Sequence, residues 1–524
     1  MKVKTVFSAA ALLMALAANG QEAISPNDMA VRNTQRAMEL LDNAMAKYYN
    51  SSNRHIAMSY NPVTHQAERE VSVWEYTAAY EAVNSVLEAL EAIKKTDPEL
   101  YNAKRDKYVS LVGEMYKGMQ MYKGTLSLPS YTGRNNWTVY SVDRGANPAD
   151  KDYKENVYDD QMWIMREDMR AYRLTGKSDY HNDAFNLARY VIDGWDCTLD
   201  ANGQEYGGIT WGPGYTSKHA CSNGPVVSPL VWLAEENKTI SRNVTYYTLN
   251  ENGTREKQSV SRYDFFLGFA KKVYDYHVNT FYNISNKLFW DMCGGKADWT
   301  TLNIDGVEYR QHVDIGDCTG EVFSYNTGSI ISGGADLYRL TGDQTYLEDI
   351  RQFIKTATTG FTRRYAFTKD GVRTVLHPFH DKYGNPEIGN AWFNDVLIRS
   401  FIDANEVDST LGVTGIEYAQ QNLDYAYENN LIDGLLPAKL VEAGDGMIDL
   451  QQEMSFISVY AQLAKYQSRK ASTATGISQV PFASASDRNI QPVYDLMGRK
   501  VGTVASINSL PHGIYITGDK KIRR

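Results

Sequence analysis

Two adjacent carboxylates, Asp159 and Asp160, stand between Tyr158 and Gln161 and just ahead of Trp163, where a long polar stretch gives way to an apolar-periodic helix. Hydrolysis of a glycosidic bond uses such a pair. One acid protonates the leaving oxygen, and the second carboxylate attacks the anomeric carbon or activates water. In mid-helix, consecutive side chains point about 100° apart, but at a loop–helix junction the backbone can aim both into one cleft. A carboxyl separation of about 5–5.5 Å gives retention and a wider gap gives inversion. Mutual repulsion raises one of the two pKa values, as an acid catalyst needs. The competing reading is structural, because acids in a first turn offset the partial positive charge of a helix N-terminus.

Two further constellations follow. Gly207-Gly208-Ile209-Thr210-Trp211-Gly212 precedes Lys218 and Cys221-Ser222-Asn223-Gly224. Paired glycines let a backbone approach a ligand, and Trp211 offers a face for a sugar ring, although a glycine-rich turn around a packed Trp is the plain alternative. Downstream, Asp317-Cys318-Thr319-Gly320-Glu321-Val322-Phe323-Ser324-Tyr325-Asn326-Thr327-Gly328 offers Tyr325 and Asn326 as partners for sugar hydroxyls. His312, His377 and His380 form no metal triad and read as surface residues. No nucleophile elbow, P-loop or dinucleotide fingerprint stands in a strand–helix context. Neither metal nor cofactor is expected.

The elements that must position these residues read as helix after helix. Apolar stripes predict helices over 33–49, 72–93, 101–121, 263–276, 389–406, 414–429 and 448–466. Thr96-Asp97-Pro98 supplies a cap and a first-turn proline. The phrase Tyr172-Arg173-Leu174-Thr175-Gly176 returns as Tyr338-Arg339-Leu340-Thr341-Gly342, each time before a second apolar stripe. It marks a repeated helical hairpin whose first helix ends on a left-handed glycine. The repeat puts the Asp pair and the Tyr325 loop at equivalent positions, so both open on one face. Roughly eleven to thirteen helices are expected between residues 27 and 467. Long stretches over 125–157, 200–223, 236–262, 294–323 and 361–386 read as functional loops on a helical toroid's rim. Residues 468–490 are Ser/Ala/Thr-rich and read as a linker, and 491–524 as a small β unit with a basic end.

Lys2 and Lys4, the apolar run 6–18 and Ala18-Asn19-Gly20 read as a secretory signal peptide over residues 1–20. No other stretch approaches a membrane span. An exported chain is expected, at the periplasm, cell surface or beyond. A formal net charge of −9 disfavours nucleic acid and anionic membranes as partners and suits a neutral polysaccharide. The abundance of aromatics with polar tips, 37 Tyr and 9 Trp, fits a wet binding cleft as well as ordinary helix packing. Cys197, Cys221, Cys293 and Cys318 have no metal-ligand spacing, and the even count leaves three disulfide connectivities or buried free thiols open.

Taken in order, these motifs resemble glycoside hydrolase family 76, the endo-α-1,6-mannanases. The matches are Tyr158-Asp159-Asp160 with Trp163; Gly207-Gly208-Ile209 with Trp211, Lys218 and Ser222-Asn223-Gly224; and Phe323-Ser324-Tyr325-Asn326-Thr327-Gly328 leading into Leu337 to Gly342. Segments 74–90, 392–401 and 451–463 look like further family elements, so the resemblance spans roughly residues 30–466. It implies an all-α fold, an (α/α)6 barrel over residues 26–467, acting on α-mannan by a retaining double displacement. Asp159 would be the nucleophile and Asp160 the acid/base, with Trp163, Trp211, Asn223, Tyr325 and Asn326 binding substrate. Two departures bear on the subsites: residues 236–262 look longer than in the family, and Thr327 stands where a Gln is common. The C-terminal unit resembles the sorting tails of Bacteroidetes type IX secretion substrates, which would make export machinery a partner. Two alternatives are another toroid glycosidase, acting on α-glucosidic links or unsaturated uronides, and a toroid that binds glycan without cleaving it.

Overall fold

The computed structural model describes residues 24–474 apart from 386, 388 and 442–445, together with four strand segments between 492 and 523. The expected signal peptide and most of the expected linker lie outside the described residues. Twelve helices of 11 to 25 residues carry the described chain. They are α1 (Pro26–Tyr48), α2 (Val73–Ile93), α3 (Pro98–Met119), α4 (Tyr158–Thr175), α5 (Ser178–Asp193) and α6 (Val227–Asn237). The second half comprises α7 (Arg262–Phe281), α8 (Ser324–Thr341), α9 (Gln344–Gly360), α10 (Ala391–Val407), α11 (Val413–Asn429) and α12 (Leu450–Ala474).

Even-numbered helices pack on one another in sequence: α2 on α4, α4 on α6, α6 on α8, α8 on α10, α10 on α12, and α12 back on α2. Each odd-numbered helix packs on the even-numbered helix beside it in sequence. Burial follows that division. Residues on every face of α2 and of the first three turns of α8 are buried, as in a helix surrounded by protein. By contrast α5 buries one stripe, Tyr180, Ala184, Leu187, Ala188 and Val191, and α9 buries Tyr346, Ile350, Phe353 and Ala357. At Gly328 the backbones of α8 and α10 come so close that a Cβ would lie 2.8 Å from Leu397 main-chain atoms. No larger residue fits that crossing.

The repeated phrase ends α4 and α8 alike. Gly176 and Gly342 both have φ 73° and donate their N–H to Tyr172 O and Tyr338 O at 2.7 Å. The two arginines of the phrase converge on one carboxylate of the helix between them: Arg173 and Arg339 both bond Glu235 of α6, at 3.0 and 3.1 Å. The echo in the sequence thus encodes packing at the end of the helices away from the Asp pair.

Helix α6 gives no periodic signal, because Pro225 and Pro229 interrupt a short run that is almost wholly buried. The expected stop at Ser468 also moves, since α12 continues to Ala474. Its last turns are held by the Ser468 hydroxyl, which donates to Ala92 O at 2.8 Å. Several expected loops are β-hairpins instead: Lys123–Ser130 with Gly133–Tyr140, Asn243–Leu249 with Arg255–Ser261, Thr301–Ile304 with Val307–Arg310, and Tyr365–Lys369 with Val372–Leu376. Of the cysteine pairings, Cys293–Cys318 forms across two antiparallel strands, and Cys197 and Cys221 are buried thiols. In the C-terminal unit, strands Pro492–Tyr494, Lys500–Thr503, Ile514–Thr517 and Lys520–Arg523 form one antiparallel sheet.

Candidate active site

The N-termini of the even-numbered helices carry most of the candidate residues, and the loop before α6 carries Trp211 and Asn223. Each start is fixed by local chemistry. Ser72 caps α2 in a capping box with Glu75. Asn390 caps α10 by accepting the Trp392 N–H at 2.8 Å, while its amide nitrogen reaches Gln451 at the start of α12 at 2.9 Å. Asp381 links α8 to α10, its carbonyl accepting from Ser324 N and its carboxylate from Asn390 N. The start of α4 is pinned differently. Gln161 exchanges two hydrogen bonds with the main chain of Tyr140, the last residue of a hairpin, and Tyr158 N donates to Trp211 O.

Asp159 and Asp160 occupy the first turn of α4, both partly exposed. The Asp159 carboxylate accepts hydrogen bonds from the Cys221 thiol, from the Trp211 indole and from Asp160 N, the last at 3.0 Å. Burial pushes its pKa up, and these donors pull part of the way back. The Asp160 carboxyl accepts no hydrogen bond among the described residues. Burial drives it well above the ordinary carboxylate range, and the charges of Asp159 and Glu75 push in the same direction. The two neighbours therefore differ in kind: one is supported as an anion, the other favours its protonated form.

Around the pair stands an aromatic wall. Trp163 and Trp392 meet edge to face at 4.7 Å, Trp74 meets Trp392 at 5.6 Å, and Phe393 stacks on Tyr325 at 4.1 Å. Trp163 is 5% exposed and lies in the packed layer, whereas Trp74, Phe393 and Trp211 are partly open. Trp211 rests on His219, with centroids 4.9 Å apart and planes 17° from parallel. Burial pushes the His219 imidazole down to about 4, so this support is neutral.

Tyr325 and Asn326 are brought to the same region, but they bond a third carboxylate. Asn326 Nδ2 donates to Asp291 at 3.1 Å, and the Tyr325 hydroxyl bonds both Asp291 and Cys221. Burial raises the Asp291 pKa despite these two donors. Asn223 is placed otherwise. Its amide is taken up by the main chain, bonding Ile209 O, His219 O and Ile209 N, so it clamps the loop that carries Cys221 and Trp211. Lys218 is likewise buried, with Asp196 at 3.3 Å. Gly207 and Gly208 have φ of 72° and 78°, and a Cβ on Gly208 would strike Tyr276 at 2.3 Å, so the pair accommodates protein packing. The three loop histidines are not free surface residues: His312 bonds Asp196 at 2.6 Å, His377 stacks on Tyr418 at 3.9 Å, and His380 is buried.

Five residues at the site lie outside the set chosen from sequence: Glu75, Trp74, Phe393, Cys221 and Asp291. Glu75, Trp74 and Phe393 share one legible signal, the first turn of a helix equivalent to α4. Cys221 lies in the segment Cys221-Ser222-Asn223-Gly224. Asp291 follows Phe289-Trp290 in an irregular segment and has no local signature.

Beneath the wall lies a buried ion network. Glu81 of α2 bonds Arg399 of α10, Arg166 of α4 at 3.2 Å and the Trp392 indole at 3.1 Å. Burial alone would raise the Glu81 pKa, but the Arg399 and Arg166 guanidinium groups outweigh it and hold it low. These arginines are thereby tied to protein carboxylates.

The sequence model of glycosyl hydrolase family 76 matches residues 33–474. No curated protein matches the sequence. Among solved structures, the family 76 mannosidase Bt3792 from Bacteroides thetaiotaomicron superposes with a TM-score of 0.60 at 20% identity, covering 83% of this chain and 98% of its own. The GH76A alpha-1,6-mannanase from Salegentibacter sp. HEL1_6 gives 0.53 at 19% identity, covering 83% and 99%. An inactive variant of that enzyme, with two neighbouring aspartates replaced by asparagine, is in complex with alpha-1,6-mannotriose. At these identities the likeness shows a shared helical fold. The family match spans most of the sequence, and the chain belongs to glycosyl hydrolase family 76.

Proposed function

We propose that this protein is an exported, retaining endo-α-1,6-mannanase built on an (α/α)6 toroid. The observation that carries the reading is the asymmetry of the adjacent carboxylates, one donor-supported and one not, beside partly open aromatics at the helix N-termini. Asp159 attacks the anomeric carbon while Asp160 donates its proton to the glycosidic oxygen, releasing the leaving chain and a glycosyl ester on Asp159. Asp160, now ionised, takes a proton from water, which attacks the ester and frees Asp159 with net retention. Trp211, Trp74 and Phe393 offer faces for sugar rings, and Asp291, Tyr325 and Asn326 offer polar contacts.

A uronide substrate fits less well. The charges of Asp159 and Glu75 would repel a second carboxylate, and Arg166 and Arg399 are already paired with Glu81 and Glu167. Export rests on the leader and the strand-rich tail; no described helix is long and apolar enough to cross a membrane. The test is Asp159→Asn and Asp160→Asn assayed on unbranched α-1,6-mannan. Asp160→Asn is expected to lower kcat by about 10²–10⁴-fold, and Asp159→Asn at least as much. Near-wild-type turnover in both variants would sink the assignment.

A further inference from the structure

Away from this site, an open cavity of about 610 Å³ lies among the rim hairpins. None of its lining residues belongs to the site around Asp159 and Asp160. Its most exposed aromatic is Tyr206, 39% accessible, whose ring lies flat on His312 with centroids 3.4 Å apart and planes 6° from parallel. That backing ring is fixed from both sides: His312 Nδ1 bonds the buried Asp196 at 2.6 Å and Nε2 faces Asp314 at 3.3 Å. The opposite walls are cross-tied as well. Arg255 N donates to Asp305 at 2.6 Å and Arg255 Nε to the Tyr309 hydroxyl at 2.9 Å, which joins the hairpin 243–261 to the hairpin 301–310. A site held this way loses little entropy on binding.

The lining chemistry restricts the ligand. Leu249 gives an apolar side, and Asn303 and Gln311 give exposed amides. Asp305, on the lining, and Asp314, bonded to His312, repel anions such as phosphate or uronate. A buttressed Tyr face flanked by neutral amides suits a pyranose, which offers an apolar C–H face to the ring and hydroxyls to its edge.

We infer that the Tyr206 cavity is a second carbohydrate-binding site that holds a neutral pyranose chain outside the catalytic cleft. Taking α-1,6-mannan as that chain rests on the function proposed above; the preference for a neutral sugar does not. Such a site anchors polymer while the cleft works on a neighbouring stretch.

The test uses the full chain with Asp160→Asn to prevent hydrolysis, and native electrophoresis through gels containing unbranched α-1,6-mannan. Retardation by mannan is expected, and Tyr206→Ala is expected to weaken it about threefold to tenfold, with Gln311→Ala weakening it in the same direction. In the catalytically intact chain, Tyr206→Ala should leave α-1,6-mannotriose turnover and the thermal midpoint unchanged while raising KM for polymer. Absence of retardation, or retardation insensitive to both substitutions, overturns the site even if mannan is cleaved. Retardation that depends on Tyr206 in a chain that never cleaves mannan supports the site and refutes the mannanase reading. An equal loss of mannotriose and polymer turnover in Tyr206→Ala overturns the site.

Discussion

At the scale of residues, Asp159 and Asp160 diverge because of what touches them. Asp159 accepts from a thiol, an indole and a main-chain N–H, whereas Asp160 faces only desolvation and like charge. For the proposed mechanism this fixes a bell-shaped pH profile. Activity rises with pH as Asp159 ionises and falls as Asp160 loses its proton, the second limb lying well above the ordinary carboxylate range. Cys221 enters the first limb directly. Replacing it with Ala removes a donor that favours the ionised form of Asp159, so the acid limb of kcat/KM should move to higher pH, and Cys221→Ser should largely restore it. An unmoved limb in the Ala variant would show that the thiol does not bear on Asp159. The adjacent pair and its neighbours Tyr325 and Asn326 were legible in the sequence, because loop–helix junctions leave local patterns. Asn223 and Trp163 pack against protein, and their motifs do not reveal that placement: an amide or an indole in a motif looks the same whether it faces a sugar or closes a loop.

At the scale of elements, the even-numbered helices do two tasks along their length. Their first turns present the candidate chemistry, and their middles are held together by charge. Glu81 sits between Arg166 and Arg399 and also accepts from Trp392, so the aromatic wall is coupled to the ion network. Glu81→Gln keeps shape and volume but removes the carboxylate that Arg399 bonds and leaves Arg166 with Glu167 alone. A loss of about 3–5 kcal/mol is expected from breaking a buried pair of this kind, read as a lowered urea midpoint; a midpoint within error of wild type would contradict the network's role. Amphipathic helices such as α5 and α9 were legible because each buries one stripe. The hairpins between them were not, since Lys123–Ser130 and Gly133–Tyr140 are mixed in polarity and pair with each other rather than into a larger sheet. Helix α6 was hidden by its proline and its all-round burial, which erase the 3.6-residue period.

For the whole molecule, the cyclic packing from α2 to α12 and back places every candidate first turn at one end. The family match and the solved relatives agree with that helical frame. Its stability should depend on pH through Glu453 of α12, whose carboxyl is fully buried and bonded to Leu436 N at 2.9 Å. Burial pushes it from the ordinary 4.5 up to about 8. The folded state then keeps a proton that the unfolded chain releases between those values. Its contribution to stability is constant below that window and falls as pH rises across it, by up to about 1.4 kcal/mol per pH unit. Glu453→Gln should flatten the decline in Tm between pH 5 and 8, and an unchanged slope would refute the linkage. Nothing in the sequence around Glu453 marks it as buried, because tertiary packing of α12 removes it from water.

Substrate, bond and stereochemical course are read together by one measurement. Proton NMR of the wild-type protein acting on unbranched α-1,6-mannan should show new reducing ends appearing first as the α anomer, with the β anomer growing in by mutarotation. The β anomer appearing first would rule out a retaining course, and no new reducing ends would rule out an endo-α-1,6-mannanase.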